Sequence, residues 1–180
     1  LHSHPCFVRS RTFFYSVNCA ACALAKAQAK RVPKTAKHHA TKAGEQLFID
    51  TSGPYQQAIG KSKYWFLVVD DYTRKAWSSF GPTKDCIADN VMQLIDKITA
   101  TGKTVKYLRC DNAGENIKHI RDECEQRNIT MEFTAPNTPQ QNGVVERKLV
   151  TIRNRALAMM LDAALSRSTQ SRLWAEAIYT

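Results

Sequence analysis

Six consecutive residues, Tyr64-Trp65-Phe66-Leu67-Val68-Val69, are apolar without a polar break. Strand side chains alternate between two faces, so an unbroken run of this length reads as a buried strand in a layered fold. It is strand-sized, well short of the roughly 18 residues a membrane span needs. The neighbouring segments agree. Gln46–Thr51 (QLFIDT) is apolar and β-prone, and Gly53-Pro54 stops it. Asp70-Asp71-Tyr72-Thr73 makes a turn, and Lys75–Phe80 is a third strand ended by Gly81-Pro82. Three strands joined by short turns predict an antiparallel meander.

The period then changes. Ile87, Val91, Leu94, Ile95 and Ile98 recur at helical spacing, with Thr83 as the expected cap and Gly102 as the stop. Val105–Cys110 is a fourth strand. Ile117, Ile120 and Cys124 mark a short helix, and Ile129, Met131 and Phe133 alternate as a fifth strand. After a loop over residues 134–142, the residues Val145, Leu149, Ile152, Ala156, Met159 and Ala163 trace one apolar stripe along a long helix. Leu173–Tyr179 begins another helix. The order β-β-β-α-β-α-β-α predicts an α/β fold, a mixed sheet with antiparallel first three strands and flanking helices.

Charge is unevenly spread. Of the 180 residues, 26 are Lys or Arg and 16 are Asp or Glu, a net charge of +10. Residues 1–44 hold eight bases and no acid, which leaves 18 bases against 16 acids in the rest. Such an arm suits a polyanion through counterion release, or serves as a solubilising linker. With 43% hydrophobic residues the body has enough apolar surface for a core. The first residues lack the apolar stretch of a secretory signal, and no Met opens the chain, which reads as a piece of something longer. Of six cysteines, only Cys19 and Cys22 have chelating spacing; Cys6, Cys86, Cys110 and Cys124 lie in apolar surroundings and read as small hydrophobes.

Three acids stand out by position. Asp50 lies within the first strand, where a charge is costly unless paired or bound to a cation. Asp111 follows the fourth strand, and strand ends are where α/β folds place their chemistry. Glu146 opens the long helix beside its apolar stripe. Oxygen ligands converging from two strands and a helix start suit Mg²⁺ or Mn²⁺. Spacing alone leaves local readings open: a strand-end acid, an Asx-turn residue, and a helix acid favoured by the dipole.

The surrounding strings are more specific. Pro139-Gln140-Gln141-Asn142-Gly143-Val144-Val145-Glu146-Arg147 resembles the signature around the last acid of retroviral and retrotransposon integrases. Arg109-Cys110-Asp111-Asn112-Ala113-Gly114-Glu115-Asn116 resembles their second-acid motif, Phe48–Pro54 the first-acid strand, and Val68–Arg74 the hairpin after it. Between the second and third acids lie 34 residues, close to the family's usual separation. The likeness covers residues 46–165 and is nearest to copia-type elements. Ala113 stands where many relatives have Gly, and Asn116 where they have an aromatic; neither is a ligand.

The resemblance implies a ribonuclease-H-like fold and an Asp-Asp-Glu DNA strand transferase with endonuclease-type activity. Asp50, Asp111 and Glu146 would hold two Mg²⁺ or Mn²⁺ ions while a 3′-hydroxyl attacks a phosphodiester in line. It also implies double-stranded DNA as partner, a homo-multimer, the nucleus as the site of integration, and a virus-like particle before that. Neither a membrane nor a small-molecule substrate is expected. Gln141, Asn142, Lys148 and Arg153 are the candidate DNA contacts, whereas Asp70 and Asp71, in a turn, read as structural. The expected organisation is a zinc-module remnant over 1–22, a basic linker over 23–45, the catalytic core over 46–165, and a C-terminal helical extension starting at 166–180. Zn²⁺ at Cys19 and Cys22 would be a half-site, because His2 and His4 are too close together to complete the family's pattern. Two other readings compete with the transferase. One is a non-catalytic DNA-binding remnant; the other, a nuclease acting on RNA–DNA hybrids, is disfavoured by the loop before Glu146.

Overall fold

The computed structural model describes residues 39–110, 117–133 and 142–180. All of them belong to one compact unit, Lys34–Thr180. Three strands come first, β1 (Gln46–Ser52), β2 (Tyr64–Asp70) and β3 (Ala76–Gly81). Helix α1 (Cys86–Ala100), strand β4 (Tyr107–Cys110), helix α2 (Ile117–Gln126) and strand β5 (Thr130–Phe133) follow. Two helices close the chain, α3 (Gly143–Asp162) and α4 (Arg167–Tyr179). The five strands form one sheet in the order β3-β2-β1-β4-β5. β1, β2 and β3 pair antiparallel, while β1–β4 and β4–β5 pair parallel. The mixed sheet expected from the element order is the one observed.

β2 is unbroken because both its faces are covered. On one side Val68 joins Leu47 and Ile49 of β1 and Leu108 and Cys110 of β4. Ala88, Val91, Met92, Ile95 and Ile98 of α1 close over them, with Ile120 and Cys124 of α2. On the other side Trp65, Leu67 and Val69 join Phe48, Val145 of α3, and Trp174 and Ala175 of α4. Leu47, Ile49 and Leu67 are fully buried, each contributing about 1.5–3 kcal/mol by leaving water. Trp65 serves the core, fully buried with its indole N–H donating to Ser78 Oγ at 3.1 Å, whereas Tyr64 is half-buried.

Three local expectations are corrected. Thr83 does not cap α1: the N-cap is Asp85, in helical conformation (φ −63°, ψ −27°), and no side chain caps the helix. A cap needs extended backbone to turn its oxygen onto the first turn, and Asp85 lacks it. β4 begins at Tyr107 rather than Val105, because Lys106 N and Tyr107 N both donate to the Glu45 carbonyl before regular pairing starts. The α3 stripe holds through Val145, Leu149, Ile152 and Ala156, and then Met160 is buried while Met159 and Ala163 are exposed. The chain reverses just past there, with Leu165 N donating to Met160 O, and α3 packs against both the sheet and α4. Gly102 does end α1 as expected, at φ +80° just past the C-cap, a conformation that suits glycine.

Residues 166–180, expected as the start of an extension, contain α4, packed against α3. Ser166 caps it by accepting from Thr169 N. Trp174 anchors it, with its indole N–H on Gln56 O at 2.8 Å and its ring against Tyr55 and Phe80. Among the described residues no helix is long and apolar enough to cross a membrane.

Candidate functional site

Asp50 lies near the end of β1, directly across from Leu67 of β2. Cross-strand partners share a face, and Leu67 packs in the cluster under α3 and α4, as does Phe48 two residues before Asp50. Asp50 therefore faces the α3 side of the sheet. It is half-buried, and its Oδ1 accepts from Thr51 N at 2.7 Å.

Glu146 reaches the same region from α3. Its neighbour Val145 is fully buried beside Phe48 and Leu67, which sets the first turn of the helix on the sheet. Glu146 itself is half-buried, the one acid of that turn. Asn142, the N-cap residue, is only 3% exposed. Its Nδ2 donates to the Ile49 carbonyl, one peptide before Asp50, at 3.4 Å. The strand carrying Asp50 and the helix carrying Glu146 are thus brought together.

Asp111 and Gln141 lie outside the described residues, as do Cys19 and Cys22 of the expected zinc half-site. Among the described residues no three His, Cys, Asp or Glu side chains cluster as a metal site. Of the candidate DNA contacts on α3, Arg153 is exposed and Lys148 half-buried, and neither has a salt bridge among the described residues. Asn142, grouped with them from the sequence, is turned inward to β1.

The neighbouring acids have structural work. Asp70 is buried and accepts from Gly44 N (2.9 Å), Thr73 N (3.1 Å) and the Thr73 hydroxyl. Asp71 accepts from Ala40 N and pairs with Arg74 at 3.0 Å. Together they strap residues 40–44 and the β2–β3 turn. Glu45 belongs to the same strap. The Lys106 ammonium, then the backbone and hydroxyl of Thr41, hydrogen-bond its carboxylate and hold its pKa down to about 2 against an ordinary 4.5. The same bond raises Lys106. A carboxylate with a lowered folded pKa stabilises fully above its unfolded value and loses that contribution as pH falls towards the folded one. Melting midpoints of the parent and Glu45→Gln are expected to differ most near neutrality and to converge between pH 4.5 and about 2. A gap constant over that range would mean that the charge contributes nothing.

Sequence reasoning missed a buried ionic group on the Asp50 face. Phe48, Arg109 and Glu132 lie in one row across β1, β4 and β5. Arg109 is 7% exposed; its Nε donates to Glu132 Oε2 at 2.9 Å, a second guanidinium nitrogen binds the same oxygen, and Gln46 Nε2 adds a third bond at 3.1 Å. The guanidinium also lies over the Phe48 ring, 5.3 Å from its centroid. The signal in the sequence was an Arg and a Glu each within a short apolar strand.

No family model matches the chain. It is 36% identical over 141 residues to the retrovirus-related Pol polyprotein from transposon TNT 1-94 of Nicotiana tabacum, across 74% of this chain. It is 25% identical over 136 residues to that from transposon RE2 of Arabidopsis thaliana, across 75% of this chain. The chain spans about a tenth of the length of these curated relatives. Among solved structures it resembles the catalytic core domain of BIV integrase, with a TM-score of 0.51 and 22% identity over 75% of this chain and 81% of that one. It also resembles a chain of the simian T-cell lymphotropic virus intasome in complex with PP2A regulatory subunit B56 gamma. There the TM-score is 0.62 at 15% identity, over 90% of this chain and 56% of that one.

Proposed function

We propose that this chain, a homologue of the retrovirus-related Pol polyproteins of plant transposons with the integrase catalytic-core fold, is a DNA strand transferase with Asp50, Asp111 and Glu146 as its acids. The observation that carries the reading is the bond from Asn142 to Ile49, which holds the helix of Glu146 against the strand of Asp50. Carboxylate oxygens are hard donors and fit Mg²⁺ or Mn²⁺, so the three acids would hold these ions. Bound there, two ions would supply Lewis-acid stabilisation of charge on the attacking and leaving oxygens.

The chain's own residues bind and orient the strands. Arg153, exposed two helical turns beyond Glu146, would hold a backbone phosphate, with Lys148 and Gln141 nearer the DNA end. The 3′-hydroxyl oxygen of element DNA forms a new bond to phosphorus as the target strand's bond to its own 3′-oxygen breaks. The hydroxyl proton leaves to solvent and the departing oxygen regains one. One phosphodiester replaces another, with no covalent enzyme intermediate. On this reading the partners are element ends and target DNA, the working form is a multimer, and the place of action is the nucleus.

The test is disintegration of a labelled branched DNA, the reverse reaction and the one an isolated core performs most readily. Product that appears with Mn²⁺ and disappears with chelator is the expected result. Folded protein that binds the DNA yet forms no product with Mn²⁺ or Mg²⁺ would move the reading to a non-catalytic DNA-binding chain.

A further inference from the structure

We infer that Asn142 is a positioning residue: its buried carboxamide sets the start of α3 on β1, fixing Glu146 relative to Asp50, and does not act as a DNA contact. The inference rests on the strand-transferase reading of those two acids and deepens it.

Four observations converge. Asn142 is 3% exposed, whereas a side chain reading DNA must meet solvent before the DNA arrives. An Asn at a helix N-cap ordinarily turns its oxygen onto the first-turn N–H groups. Asn142 makes no such bond, and its backbone sits at φ −108°, ψ 9°. Instead the carboxamide spans 93 residues of sequence to reach the Ile49 carbonyl. That bond falls one residue past Phe48↔Arg109, where the pairing of β1 with β4 ends.

The same residue holds the helix through its backbone. The Asn142 carbonyl accepts from Val145 N at 3.1 Å and Glu146 N at 3.2 Å. Two hydrogen bonds therefore link the amide of Glu146 to the peptide that precedes Asp50. Only a donor can make the outer one, because Ile49 offers a carbonyl. Asp at 142 would set a carboxylate against that oxygen, and Ala would leave it without this partner. The Asn142 Oδ1 is buried and has no hydrogen-bond partner among the described residues, so the Nδ2 bond is what fixes the side chain.

The roles separate in a split of rate from affinity. Asn142→Asp, Asn142→Ala and Asn142→Gln would be compared with the parent chain for disintegration rate at saturating DNA with Mn²⁺. DNA affinity would be read by fluorescence anisotropy in Ca²⁺, and folding by melting midpoint. A residue that orients site ligands typically carries about 10–100-fold in activity or metal affinity. The Asp and Ala variants are expected to lose that much rate with DNA affinity within about twofold of the parent, and to need more Mn²⁺ for half-maximal thermal stabilisation. Asn142→Gln keeps a donor on a longer arm and is expected to lie nearer the parent; it carries the test if the other two fail to fold. Weakened DNA binding with an unchanged rate at saturation would make Asn142 a DNA contact and overturn the inference. So would an active parent whose variants change in neither quantity. A folded parent with no Mn²⁺-dependent product would remove the strand-transferase reading, and this inference with it.

Discussion

Exchanging Glu146 for Gln is expected to lower the Mn²⁺-dependent disintegration rate by about 10³-fold or more while leaving the fold intact. The substitution keeps size and removes charge. Glu146 is half-buried and has no salt bridge among the described residues, so the fold loses little when the charge goes. What the helix does lose is an acid in its first turn, worth about 0.3–1 kcal/mol against the macrodipole. Single-turnover rates beside melting curves separate the effects. Asp50→Asn should behave alike, since Asn retains an acceptor for Thr51 N. Asp70→Asn should do the opposite, because Asp70 accepts from Gly44 and Thr73 and holds the strap. A Glu146→Gln chain that turns over like the parent would remove Glu146 from the site.

The largest effect on stability is expected at Glu132. Its side chain is 25% exposed and that of Arg109 only 9%, so Glu132→Ala leaves a guanidinium buried without its counter-charge. Breaking a buried pair from one side costs about 3–5 kcal/mol, whereas replacing both partners with apolar residues is often neutral. Glu132→Ala should therefore lower the unfolding free energy, read by urea titration, by about 3 kcal/mol given the partial exposure of Glu132. Arg109→Met with Glu132→Leu should recover most of that loss. If the double variant is as unstable as the single one, the pair's bond geometry matters more than its burial, and the charge argument fails.

The fold was legible where a pattern is local. Tyr64–Val69 declared a strand buried on both faces, and Ile87–Ile98 declared one helix face. What depended on distant partners was not legible. Arg109 and Glu132 meet only because β4 and β5 run parallel in one register, which neither strand's own sequence states. Met160 replaces Met159 in the buried stripe near the end of α3, where the chain turns back into α4. For the site, Asp50 and Glu146 were marked by position and by the strings around them, and the fold sets them on one sheet face. The inward turn of Asn142 was hidden: a polar residue after a polar loop looks like a solvent contact until its acceptor on β1 is seen.

The α3–α4 hairpin supplies most of the cover for one sheet face, and this has a consequence for synthesis. When the chain has emerged from the ribosome only as far as β5, every strand and both helices of the other face are outside, but α3 and α4 are not. Phe48, Trp65, Leu67 and Val69 then remain open to water, a sticky surface of the kind chaperones bind. The hairpin that covers this surface also carries Glu146. A nascent or prematurely ended chain thus holds Asp50 without Glu146, and the same docking step that removes the aggregation hazard brings together the two acids of the proposed site.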